Sequence, residues 1–149
     1  MFTEFDERMM LLALEEARLS LESGDIPVGA VIVRQGEIIA RAGNTRERLH
    51  DPSGHAEINA LRAAANVLGT WRLPGCTLYV TLEPCCMCAG AIVQSRLDRV
   101  VFGAYDAQAG ACGSLYRITE DPAMNHFTRA DGGLLADECA ALIRQSLRR

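Results

Sequence analysis

The 149-residue chain carries 15 Lys and Arg against 19 Asp and Glu, a net charge of −4 with a pI near 5.4. It therefore lacks the overall basic charge with which proteins normally displace counterions from a polyanion, so any nucleic-acid contact needs a local basic patch. Its length suits one domain over 1–149, burying about 68–70% of the unfolded surface without disulfide staples. No apolar run reaches a membrane span of about 18 residues, and no basic-then-apolar leader opens the chain.

Residues 5 to 22 read as an amphipathic helix, with Met10, Leu14, Ala17 and Leu21 on one face and Glu15, Arg18 and Glu22 on the other. Gly24-Asp25-Ile26-Pro27 ends it. Val28-Gly29-Ala30-Val31-Ile32-Val33 and Glu37-Ile38-Ile39-Ala40-Arg41 are β-rich runs around a tight Gln35-Gly36 turn. Asp51-Pro52-Ser53-Gly54 is a turn-and-cap segment, after which Ile58, Leu61, Ala65 and Leu68 keep helical spacing. The strand Thr77-Leu78-Tyr79-Val80-Thr81-Leu82 leads to Pro84, which suits the start of a further helix through Cys88, Ala91 and Ile92. Residues 99 to 103 form a short strand, 104 to 113 a Gly-rich loop and 127 to 130 a weak strand. Leu135, Cys139 and Leu142 stripe a last helix. A hairpin followed by helix-strand alternation predicts a layered α/β domain with a mixed sheet and helices on both faces.

The chemistry concentrates in His55-Ala56-Glu57 and Pro84-Cys85-Cys86-Met87-Cys88. Three of the chain's six cysteines crowd into that second cluster, a spacing that suits a metal ligand set in a reducing cytoplasm better than disulfides. Cys76, Cys112 and Cys139 read as small buried residues. Zinc accepts imidazole and thiolate together, and three ligands, His55, Cys85 and Cys88, leave the fourth tetrahedral position for water, the mark of a catalytic site. On a helix Cys85 and Cys88 lie roughly 60° apart and can grip one ion, whereas Cys86 faces elsewhere. His55 and Glu57 diverge in a helix interior and serve one site only at a helix N-terminus. Two helix starts then meet at the ion, and their positive ends favour thiolate. Glu57 beside an activated water is a proton acceptor; taken alone, it is an ordinary first-turn helix acid.

The pattern His-x-Glu with Pro-Cys-x-x-Cys resembles the zinc nucleobase deaminases. Further runs narrow the likeness: Pro27-Val28-Gly29-Ala30-Val31, Leu82-Glu83-Pro84-Cys85, Met87-Cys88-Ala89-Gly90-Ala91, Val101-Phe102-Gly103-Ala104, Gly113-Ser114-Leu115, Met124-Asn125-His126 and Leu135-Ala136-Asp137-Glu138-Cys139. With these, nearly the whole chain resembles the bacterial tRNA-specific adenosine deaminases of the cytidine deaminase-like superfamily. The resemblance implies a three-layer α/β/α cytidine deaminase-like fold with a mixed central sheet. It also implies hydrolytic conversion of adenosine to inosine at the wobble position of a tRNA anticodon, by a cytoplasmic homodimer with one Zn2+ per chain.

Carried over by residue, the likeness assigns His55, Cys85 and Cys88 to zinc and Glu57 to proton transfer. It assigns Asn44 to the target nucleotide, Pro27 and Val28 to the pocket wall, and Asp106 to the nucleotide preceding the target base. Backbone N–H groups at Ala56 and Cys85 are free at helix starts and are candidates to bond the base. Each has an ordinary alternative: turn chemistry for Asn44, core for Pro27 and Val28, a solvated loop acid for Asp106. Arg46, Arg48 and His50 supply a local basic patch near the mouth, and Arg144, Arg148 and Arg149 a second one at the chain's last helix. Phe127 is either a base-stacking aromatic or a core residue. Two alternatives stay open: a deaminase of a free base or nucleoside of guanine or cytidine type, and a non-catalytic zinc-binding subunit. The second is opposed by Glu57, since a structural site gains nothing from a spare proton acceptor.

Overall fold

A computed structural model describes residues 1–148. Helix α1 (Glu4–Glu22) begins one residue earlier than its apolar spacing predicts, because Thr3 forms a capping box. The Thr3 hydroxyl accepts the Asp6 N–H at 3.0 Å, and the Asp6 carboxylate accepts the Thr3 N–H at 3.0 Å. Strands β1 (Gly29–Arg34) and β2 (Glu37–Gly43) form the predicted hairpin. Its turn residues Gln35 and Gly36 both take positive φ, 51° and 78°, the handedness that matches the twist of paired strands.

Three more strands, β3 (Cys76–Leu82), β4 (Arg99–Ala104) and β5 (Arg129–Gly132), complete a sheet of order β2-β1-β3-β4-β5. β1 runs antiparallel to both β2 and β3, while β3, β4 and β5 are mutually parallel, so the sheet is mixed as predicted. Alternation along the strands separates two cores. Ala30, Ile32, Leu78, Val80, Val100 and Phe102 face helices α2 (Ala56–Leu68) and α3 (Cys86–Gln94). Val31, Val33, Tyr79 and Val101 face α1 and α4 (Ala136–Ser146). The result is an α/β/α sandwich. At Gly29 a side chain would collide with the backbone of Ala13 and Ala17, so glycine is what lets α1 lie close on the sheet.

Two sequence expectations shift. The weak strand of residues 127–130 lies instead at β5, two residues on, because Thr128 is drawn out of the ladder: its N–H bonds the Thr119 carbonyl at 2.8 Å and its hydroxyl the Leu97 carbonyl at 2.8 Å. The Gly-rich segment after β4 is a loop, as predicted, but it leads into a bridge between Cys112 and Arg117 and a 3-10 turn (Ile118–Glu120). All six cysteines are free, with Cys76, Cys112 and Cys139 buried. Among the described residues no helix is long and apolar enough to cross a membrane.

What matters for chemistry is the carboxyl end of β3 and β4. There the chain leaves Leu82 towards α3 and Ala104 towards the loop, and the Glu83 N–H to Ala104 carbonyl bond, 2.9 Å, keeps the two exits side by side. Ligand sites of open α/β sheets collect at such strand ends.

Candidate active site

His55 is the N-cap of α2 and Cys85 the N-cap of α3; neither makes a side-chain capping bond, so both side chains are free to point outwards from the helix starts. Cys88 follows in the first turn of α3 and is fully buried, whereas Cys86 between them is exposed. The Cys85 and Cys88 Sγ atoms stand 3.6 and 3.4 Å from His55 Nδ1, and all three donor atoms lie within 4.8 Å of one another. Zn–S and Zn–N bonds of about 2.3 and 2.0 Å at a tetrahedral angle put sulfur and nitrogen about 3.5 Å apart, so the arrangement fits zinc. The donor set is the one zinc prefers, and it has three members rather than four.

Bonds from the Cys88 thiol and His55 hold Cys85 far below the usual thiol range, as a thiolate. The same bond to Cys85, with burial and the nearby Glu57 carboxylate, pushes Cys88 up. Its bond to Cys85 raises His55. Glu57, in the first turn of α2, is 4% exposed, and burial raises its pKa to about 7 despite bonds from its own N–H and the Cys88 thiol. A divalent ion beside these groups favours every deprotonated form.

These residues open onto a cleft lined by Ile26, Val28, Asn44, Arg46, Ala56 and Asp106, among others. Asn44 is buried at the end of the β hairpin, where its N–H bonds the Val28 carbonyl at 3.1 Å and its Oδ1 accepts the Arg46 N–H at 3.2 Å. The turn chemistry and the pocket position therefore coexist. Buried Asp25 accepts the N–H groups of Glu47 and Arg48 at 2.7 and 3.2 Å, fixing the loop that carries the basic patch.

Not every predicted site residue reaches the cleft. Pro27 does not line it, while Val28 and the unpredicted Ile26 do, because an extended segment turns alternate residues to one side. Arg46 lines the cleft, but Arg48 borders a separate shallow hollow against α1. Phe127 is 61% exposed and lines no part of the cleft, which rules out a core role. Arg144 and Arg148 sit at the end of α4 and its following turn, likewise outside the cleft lining; Arg149 lies outside the described residues. Sequence reasoning also missed Glu83 and Ala109 as lining residues.

A sheet with a three-ligand zinc site between two helix N-termini, and a buried acid beside it, defines the zinc-dependent deaminase class. The family model for the cytidine and deoxycytidylate deaminase zinc-binding region matches residues 3–104. Within it, the chain belongs to the tRNA-specific adenosine deaminase family. It is 48% identical to the tRNA-specific adenosine deaminase of Bacillus subtilis over 93% of this chain and 86% of that one. Against the Haemophilus influenzae protein of the same name, identity is 50% over 93% and 80%. A structure from studies of A-to-I editing by tRNA:A34 deaminases at the wobble position superposes with a TM-score of 0.87 at 45% identity, covering 91% of this chain and 98% of that one. The guanine deaminase of Nitrosomonas europaea shares the fold at 28% identity and a TM-score of 0.81, over 96% and 85% of the two chains.

Proposed function

We propose that this protein hydrolyses adenosine to inosine at the wobble position of a tRNA anticodon, with one Zn2+ held by His55, Cys85 and Cys88. The observation that carries the reading is the convergence of those three donors within 4.8 Å of one another, with His55, Cys85 and the buried Glu57 lining one cleft and Cys88 buried behind it. The family's tRNA-acting members, at 44–50% identity, favour this substrate over a free base.

Zinc at this site supplies the Lewis acidity that brings the pKa of a water molecule near 7. Glu57, buried in the first turn of α2 beside the ligand set, is placed to accept that water's proton. It takes one proton from the water as oxygen adds to C6 of the purine and passes it to the ring nitrogen N1; it then takes the second proton from the new C6 hydroxyl and passes it to the amine, which leaves as ammonia while the C6 carbonyl forms. The free N–H of Ala56 at the start of α2 and the Asn44 amide orient the base, with Val28 packing against it. Asp106 contacts the preceding nucleotide, and Arg46 pairs with phosphate at the rim. Arg48 and Phe127, outside the cleft lining, contact flanking RNA.

The protein also acts as a homodimer in the cytoplasm, on this reading. An apolar hollow of about 420 Å³ between α2 and α3, lined by Ile58, Leu61, Ala65, Leu73 and Ala91 with Trp71 half exposed at its rim, supports a second copy docking there. Sedimentation is expected to give a dimer at micromolar concentration and a monomer for Trp71→Glu; a monomeric parent protein removes the dimer.

The substrate test offers zinc-loaded protein an anticodon stem-loop, free adenosine, cytidine and guanine in one inosine-and-ammonia assay. Turnover is expected on the stem-loop. Rapid turnover of a free base with none of the RNA would move the assignment to the free-base deaminases.

A further inference from the structure

Glu83 precedes the ligand Cys85 by two residues and is 2% exposed, yet none of its bonds goes to the zinc cluster. All of them go to the loop after β4. One carboxylate oxygen accepts the Asp106 N–H at 3.0 Å and the Ser114 hydroxyl; the other accepts the N–H groups of Cys112 at 3.0 Å and Ser114 at 2.9 Å. The backbone either side of it adds the Glu83 N–H bond to Ala104 and a bond from the Ala111 N–H to the Pro84 carbonyl, 2.8 Å. Gly110 lies so close to the carboxylate that a side chain there would run into it. A loop of mostly small residues has little apolar surface to hold it, and a buried anion gathering four donors takes the place of a core.

The same loop forms a wall of the cleft through Asp106 and Ala109. Asp106, held from behind by Glu83, turns its own Oδ1 to the N–H groups of Gln108 and Ala109 at 3.0 and 3.1 Å, so its side chain is oriented as well as anchored. We propose that Glu83 is a positioning residue that fixes the Asp106 wall relative to Cys85 and thereby sets recognition of the nucleotide preceding the target base. The role rests on the tRNA reading above. It concerns acceptor geometry, not proton transfer.

Glu83→Gln keeps the shape but replaces one acceptor oxygen with an NH2 group facing N–H donors, so the loop loses about half its anchorage. Amide hydrogen exchange at Asp106, Cys112 and Ser114 is expected to speed up about tenfold or more, with α2 amides unchanged. Zinc content stays at one per chain. On the stem-loop, KM is expected to rise about tenfold while kcat changes less than about threefold, and preference for the preceding nucleotide weakens. The double variant with Asp106→Ala should be no worse than the poorer single variant, since both act through one contact.

Unchanged exchange at the three amides, loss of zinc, a fall in kcat at constant KM, or additive effects with Asp106→Ala would overturn the role. If Glu83→Gln does not fold, Ser114→Ala removes only the hydroxyl donor and should move exchange and KM the same way by about two- to threefold; no movement is again fatal. A parent protein inactive on the stem-loop would refute the substrate reading, while the exchange data would still judge whether Glu83 positions the loop.

Discussion

Two buried acids sit in the first turns of two helices on opposite faces of the same sheet, and they are held in opposite protonation regimes. Asp6 in α1 is 3% exposed and Glu57 in α2 is 4% exposed, so burial opposes the charge of both. Asp6 receives the Tyr79 hydroxyl at 2.7 Å, the Thr3 N–H and the Arg99 guanidinium at 3.2 and 3.4 Å. Burial works against its charge, but these donors outweigh it and hold its carboxyl below the usual range. Arg99 in turn binds Asp131 at 2.9 Å, and Arg129 closes the network at 2.8 Å. Among the described residues no guanidinium pairs with Glu57; burial prevails and its pKa rises to about 7. Compensated charge fixes structure. Undercompensated charge beside a metal ligand set is available for chemistry.

The sharpest way to break this contrast is to remove each acid's charge. Glu57→Gln is expected to lower turnover on the stem-loop by about 10²–10⁴-fold while zinc content stays at one per chain and the fold is retained. Assay of inosine together with metal analysis checks it; turnover at the parent rate would end the proton-transfer role.

Titration separates the acids by sign. Glu57's folded pKa lies above the unfolded value, so in metal-free protein its contribution to stability is complete below about pH 4.5 and is lost as pH rises through about 7. The difference in unfolding free energy between parent and Glu57→Gln should therefore decline by about 3 kcal/mol across that window. Zinc should flatten the decline, because the cation favours the carboxylate. Asp6 behaves the other way: its folded pKa is lowered, so its contribution is present above the unfolded value and disappears as pH falls through the folded one. Urea unfolding of the parent, Glu57→Gln and Asp6→Asn at several pH values measures both, and parallel curves would erase the distinction.

At fixed neutral pH, Asp6→Ala is expected to cost roughly 2–3 kcal/mol by leaving the Tyr79 hydroxyl without its acceptor and Arg99 with only Asp131, without changing kcat per folded molecule. A change in kcat with stability intact would tie the α1 face to the reaction.

How much of this was legible in the sequence depended on how local each signal is. The zinc ligands, Glu57 and the two helix starts stood out because their spacing is short and their residue types are chemically specific. Thr3 and Asp6 form a readable capping box, but Asp6's partners Tyr79 and Arg99 lie 73 and 93 residues away, and nothing in the chain announces them. Glu83 was hidden for the same reason: before Pro84 it looks like an acid at a strand end, and its donors, three backbone N–H groups and the Ser114 hydroxyl, lie 23 to 31 residues on. β5 reads Arg-Ala-Asp-Gly, poor in strand formers, and exists because β4 offers a parallel edge. Pro27 was placed in the cleft by likeness of its run, whereas side-chain alternation selects Ile26 and Val28.

The smallest effect concerns cations, and it carries the same contrast to the rim. Arg99 is neutralised by Asp6 and Asp131, so it adds nothing to the field outside the protein. Arg46 lines the cleft and makes no ion pair among the described residues, which leaves its charge available to a phosphate despite the chain's net −4. Asp25 strengthens that availability by holding the backbone of the next two residues, so the loop presents Arg46 without a large ordering cost. Arg46→Ala should raise KM for the stem-loop by about two- to fivefold and reduce the slope of log KM against log salt by roughly 0.7, the value for one contact to a single strand. The matching change on the other face, Arg129→Ala, removes a cation already paired with Asp131 and should leave the slope unchanged. If both variants shift it equally, RNA is attracted by diffuse surface charge and the rim has no privileged cation.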